Sequence, residues 1–155
     1  MMFRLLCAFV LTISFSTASL GQQSLVGTYK MVSQVVDVEG AVTENMGKAP
    51  RGYLVFTPTR ATAFYTAESR KPGTAEAEKA ALFDTLGGWS GRYRTEGNRL
   101  IVSVDISWVE IWNGKDQVRN YEISGTRLAL TSDPMPFARD PSKKVVVRQV
   151  WEKIE

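Results

Sequence analysis

Short turn signals recur along this chain, each set between runs of β-branched and aromatic residues, and this punctuation constrains the fold more than any other feature. Glu39-Gly40 closes the run from Leu25 to Val38, and Ala41 to Gly47 can return antiparallel to it. Lys48 to Gly52 turns into Tyr53–Thr57, and Pro58-Thr59-Arg60 separates that run from Ala61–Ala67. Glu96-Gly97-Asn98 lies between Trp89–Thr95 and Arg99–Trp108, and Ser124-Gly125 lies between Gln117–Ile123 and Arg127–Ser132. Asn113-Gly114 is the dipeptide best suited to a type I′ hairpin. Connections this short join antiparallel neighbours. One segment breaks the pattern: Ala75–Leu86 is rich in Ala, Glu, Lys and Leu and predicts a helix, with Ala75, Leu82 and Leu86 near one face and Gly87-Gly88 as its stop. The longer connections fall at about 68–88 and 133–142, the second a Pro-rich loop before the final run Lys143–Ile154. The fold class expected is all-β: a single up-and-down antiparallel barrel of about 8–9 strands with one helical insertion. A sandwich is the structural alternative, but it usually needs more long crossings than this chain offers.

The 155 residues suffice for one domain with a real core. Arg4, the apolar stretch Leu5–Phe15 and the small residues that follow read as a signal peptide over residues 1–21, leaving 22–155 as the domain. A secreted or periplasmic location is therefore expected, without integral membrane association after cleavage. Cys7, the single cysteine, would leave with the leader, and the chain has no histidine. Such a mature chain excludes thiol nucleophiles, disulfides, zinc sites built on Cys or His, and histidine acid–base catalysis. Nineteen basic and sixteen acidic residues are interleaved without a like-charge run, so nothing supports a nucleic-acid partner. Gly40 and Gly87-Gly88 lack phosphate-loop spacing, and no cofactor is implied.

Alternation assigns a provisional interior. Leu100, Val102, Val104, Ile106 and Trp108 form one parity; Trp89, Gly91 and Tyr93 another; Arg119, Tyr121 and Ile123 a third. In the first strand Gly27, Tyr29, Met31, Ser33 and Val35 are expected to share a face, and in the last Val147, Gln149 and Trp151 compete with Val146, Arg148 and Val150. These inward sets are aromatic and aliphatic, with Arg119 the one charge. They suit either a small-ligand cavity or a barrel filled by its own side chains. Arg119 can reach the rim or pair with an acid.

Taken in order, Leu25-Val-Gly-Thr-Tyr-Lys30 with Ser33, Arg51-Gly-Tyr-Leu54 with Thr57-Pro58, Gly91 with Tyr93, Gln117-Val-Arg119 with Tyr121-Glu122, Arg127-Leu128 with Leu130, and Val150-Trp-Glu152 resemble the motifs of the bacterial and fungal lipocalin-like domain family. The resemblance spans Leu25 to Ile154 and implies a calycin-type barrel. Tyr29 stands where the family more often has Trp, and Ser103 and Val104 stand where it often carries histidines. By analogy with the wider lipocalin group, Tyr29 is expected to plug one end of the barrel with Arg148 over its ring.

The function these features favour is binding of a small hydrophobic or aromatic ligand in the barrel interior, with Tyr53, Tyr65, Trp89, Tyr93, Trp108, Trp112, Arg119 and Tyr121 as candidate wall residues. Two alternatives remain at this level. One is an isomerase- or cyclase-type enzyme acting through Asp105, Glu110 or Tyr121, although Asp105 falls on the outward parity. The other is an envelope protein that binds a partner through loops 68–74 and 133–142.

Overall fold

The computed structural model describes residues 24–137 and 140–155; the leader assigned to 1–21 lies outside them. Ten strands run in chain order: β1 (Gly27–Val38), β2 (Ala41–Thr43), β3 (Arg51–Phe56), β4 (Arg60–Thr66), β5 (Leu86–Glu96), β6 (Arg99–Ser107), β7 (Asp116–Ser124), β8 (Arg127–Ser132), β9 (Met135–Phe137) and β10 (Asp140–Lys153). A helix, α1 (Glu76–Asp84), lies between β4 and β5, and a 3-10 turn at Glu110–Trp112 lies between β6 and β7. Eight strands pair antiparallel in the order β1-β3-β4-β5-β6-β7-β8-β10, and β10 pairs back onto β1 from Tyr29↔Lys153 to Val38↔Val145. The barrel is therefore closed and up-and-down, as the turn pattern predicts. The short strands β2 and β9 add to β1 and β10 at one end; β9 falls within the segment expected to be a loop.

The two ends of the barrel differ. At the base, residues 57–59, Gly97-Asn98 and Gly125-Thr126 are the connections. The start of β1 and the residues that follow β10 meet there as well: Thr28 N–H donates to the Glu155 carbonyl (3.1 Å) and Ile154 N–H to that of Thr28 (2.8 Å). At the mouth lie β2, β9, the 3-10 turn and the segment carrying α1.

The base is packed solid. Trp151, Tyr29, Phe56, Leu54 and Leu128 are fully buried, each contributing roughly 1.5–3 kcal/mol by leaving water. Tyr29, Phe56 and Tyr93 meet edge to face, with centroids 5.9 and 5.0 Å apart, and the Tyr29 hydroxyl donates to the Leu25 carbonyl (3.0 Å). Tyr29 plugs the base, but Arg148 is not its cation. Arg148 lies opposite Val35 and points outward to Asp37 (3.1 Å). Lys153, opposite Tyr29, places its ammonium 5.8 Å from the ring centroid and donates to the Val26 carbonyl.

Two β-bulges overturn parts of the expected interior. In β1 the register steps from Met31↔Trp151 to Ser33↔Val150, leaving Val32 as an extra residue. Side chains beyond it switch faces. Gln34 and Val36 thus turn inward, not Ser33 and Val35. In β6 the register steps from Gly91↔Val104 to Ser90↔Ile106 with Asp105 extra, so Ile106 emerges on the outside, 64% exposed. A β-carbon on Gly91 would overlap the Ser103 carbonyl, which explains why glycine occupies this crossing.

Local chemistry corrects two further expectations. Asn113 has φ −60° and ψ 131°, and Gly114 φ +72°, with Lys115 N–H bonded to the Trp112 carbonyl: a type II geometry, not type I′. α1 ends at Asp84, and Gly87-Gly88 belong to β5 instead of terminating the helix. At its start the Glu78 carboxylate accepts the N–H groups of Thr74 and Ala75, which hold its pKa below the usual carboxylate value. The helix buries none of its residues, so the expected apolar face has no core beneath it.

Candidate ligand cavity

Above the packed base the barrel opens into a cavity of about 660 Å³, within the range of about 300–1,000 Å³ typical of small-molecule sites. Alternation and the two bulges set its walls. Val36, Leu100, Val102, Leu130 and Val147 supply aliphatic surface from the strands. Trp89 enters from β5, Trp108, Ile111 and Trp112 from the β6–β7 connection, and Met135 to Phe137 from β9. Three of the four tryptophans thus border one space.

Of the eight residues the sequence offers as walls, Tyr65, Trp89, Trp108, Trp112 and Arg119 border this cavity. The other three do not. Tyr53 lies on the outer surface, 54% exposed, because its neighbours Gly52 and Leu54 take the inward positions of β3. Tyr93 belongs to the solid base with Phe56. Tyr121 packs against the core without bordering the cavity. Asp105 is on the outer surface, held by both guanidinium nitrogens of Arg60 (3.0 and 2.7 Å), and Glu110 is exposed on the 3-10 turn.

Tyr65 owes its position to glycines on both sides. Gly52 of β3 and Gly87 of β5 pair with it across the sheet. A β-carbon on Gly87 would overlap the Tyr65 ring, and one on Gly52 would overlap its β-carbon. The phenol instead lies over bare backbone and meets Trp151 edge on at 5.9 Å. Burial pushes its pKa up, while a hydrogen bond with Gln149 and the nearby Arg119 charge act in the opposite direction.

A polar chain runs along this part of the wall. Gln149 Nε2 donates to Gln34 Oε1 (2.7 Å), and Gln34 Nε2 donates to Asn45 Oδ1 (3.1 Å). Both glutamines are buried, at 8% and 4% exposure. Sequence reasoning missed them: Gln34 was concealed by the β1 bulge, and Gln149 belonged to a strand whose parity was undecided. The signal for Gln149 was an amide sharing a parity with Val147 and Trp151.

Arg119 lies on β7 opposite Leu100 and Ser132. Among the described residues its one hydrogen bond runs from Nη1 to the Val118 carbonyl (2.7 Å). Asp133 attracts it, yet that carboxylate is held by Arg99 (2.8 Å) and Asn120 (2.9 Å). Burial draws the Arg119 pKa down, but an arginine remains protonated. At the mouth the Phe83 ring of α1 packs on Trp108 with centroids 4.7 Å apart. The buried Trp108 Nε1–H has no acceptor among the described residues.

A closed antiparallel barrel with a solid base, a wide mouth and an apolar interior is a calycin-type fold. More specifically, the chain belongs to the lipocalin-like domain family, whose model matches residues 26–154. No curated protein matches it. Among the described residues, no helix is long and apolar enough to cross a membrane.

Proposed function

We propose that this protein is an exported binding protein that holds a small, mainly apolar molecule inside its barrel. The observation that carries the reading is the 660 Å³ space walled by aliphatic and tryptophan side chains, continuous with the mouth and blocked at the base by the Tyr29–Phe56–Tyr93 cluster. A barrel filled by its own side chains would leave no such volume. Apolar walls with a few placed polar groups suit a ligand that leaves water for the interior and is oriented by one end. Export rests on the leader sequence, and the expected site of action is the periplasm or the medium.

Titration with dodecanol, followed by tryptophan fluorescence, tests the binding reading. Saturable quenching or a spectral shift is expected, because Trp89, Trp108 and Trp112 border the cavity. Val102→Trp, which fills the space from β6, is expected to abolish the response. An unchanged spectrum up to the solubility limit, with the alcohol and with charged amphiphiles of the same chain length alike, would remove the basis for the proposal.

A further inference from the structure

We infer that the ligand is an amphiphile with a single carboxylate, whose head group pairs with Arg119 inside the barrel while its apolar tail lies among the tryptophans toward the mouth. The inference rests on the cavity reading and names the chemical class it selects.

A guanidinium carries five N–H donors and cannot shed its charge. Removing such a group from water is costly unless it is paired and hydrogen-bonded. Here one donor reaches the carbonyl of the preceding residue, and the remaining N–H groups have no acceptor among the described residues. The one carboxylate that acts on it, Asp133, is already engaged by Arg99 and Asn120, and the other group recorded near it, Tyr65, is a neutral phenol. An arginine kept only for the barrel's architecture would have its own acid. This one borders the cavity with its donors unassigned.

The charge of the missing partner follows from the rest of the lining. Asp84, exposed at the mouth, is the one carboxylate bordering the cavity among the described residues, and Arg119 is the one cation. A single interior positive charge is neutralised by one negative charge. The planar fork matches a carboxylate through two parallel hydrogen bonds. A phosphate monoester would bring a second negative charge with no second cation to meet it. The Tyr65 phenol, itself hydrogen-bonded with Gln149, lies near Arg119 as a neutral group.

Four probes of equal chain length decide the matter at neutral pH, below their micelle-forming concentrations: dodecanoate, dodecanol, dodecylamine and dodecyl phosphate, each titrated by tryptophan fluorescence and calorimetry. Dodecanoate is expected to bind at least about tenfold more tightly than dodecanol, since hydrogen bonds to a charged group are the strong ones, and dodecylamine least tightly. Arg119→Met is expected to abolish the preference, so that the variant binds dodecanoate no more tightly than it binds dodecanol. Arg119→Lys is expected to keep part of the preference. Equal binding of dodecanoate and dodecanol by the native protein overturns the role of Arg119 but leaves the cavity reading standing. A preference for dodecyl phosphate overturns the carboxylate. Failure of every probe removes the cavity reading itself. The native comparison needs no variant, so it decides even if Arg119→Met does not fold.

Discussion

Lys153 and Arg148 lie on one strand, five positions apart, and opposite faces of the barrel separate their roles. Lys153 stands over the Tyr29 ring at the base, half-buried and tied to the Val26 carbonyl. Arg148 meets Asp37 on the outer surface, where water screens the pair. Lys153→Ala is expected to lower stability by about 1 kcal/mol, the scale of a partly desolvated cation–π contact. Arg148→Ala is expected to change it by less than about 0.5 kcal/mol. Denaturant midpoints of the two variants, measured together, check both. A larger loss at Arg148 would restore the arrangement expected by analogy with the lipocalin group. The same contrast explains which site residues could be read from the sequence. Tyr65, Trp89, Trp108, Trp112 and Arg119 stand out as aromatics or as a lone charge in apolar company. Gln34 does not, because its inward aim depends on one unpaired residue, Val32, which composition does not reveal.

Among the elements, strand identity was legible and face identity was legible only up to each bulge. Alternation is a property of neighbouring residues, so it survives in the sequence. A bulge is a property of two paired strands, decided where Asp105 or Val32 has no counterpart opposite. Strand β9 was illegible for a related reason: Met-Pro-Phe has no period to read, and it becomes a strand because β10 offers Val145 and Lys144 as partners. Composition identified α1 correctly but not its independence from the core. Because α1 buries none of its residues, a break in it is expected to stay local. Proline at Ala80 costs the helix about 3 kcal/mol, yet the global unfolding midpoint should correspond to a loss below about 0.5 kcal/mol. Amide exchange should accelerate through 76–84 while the paired strands keep their protection. A global loss of several kcal/mol would mean that the Phe83–Trp108 contact anchors the whole mouth.

For the molecule as a whole, titration sets limits on both sides of neutrality. Tyr29, Tyr65 and Tyr93 have their pKa values raised, chiefly by burial. A raised phenol favours the folded state in its neutral form. That contribution is fully present below the unfolded value of about 10 and is lost as pH rises toward the folded values. Asp37, Asp105 and Asp133 are lowered by hydrogen bonds, to the Gly40 N–H, Arg60 and Asn120 foremost. Their contribution is present above the ordinary carboxylate range and fades as pH falls through the lowered values. These acids lie at the surface, so the acid slope should be shallow. Melting curves across pH are expected to fall steeply on the alkaline side, and Tyr65→Phe to flatten that fall; an alkaline limb that Tyr65→Phe leaves unchanged would rule out the buried phenol as a cause. The meeting of Thr28 with Ile154 and Glu155 at the base has a practical consequence of another kind. With Thr28 bonded to Glu155 and Ile154, a variant that begins at Ser24 could be made circular by a short peptide bridging Glu155 to Ser24, without crossing the entrance. New ends cut in the exposed stretch around Gly73 would then leave every barrel strand intact. An anchor fused after Glu155, by the same geometry, would hold the barrel upright on a surface with its entrance facing the solution.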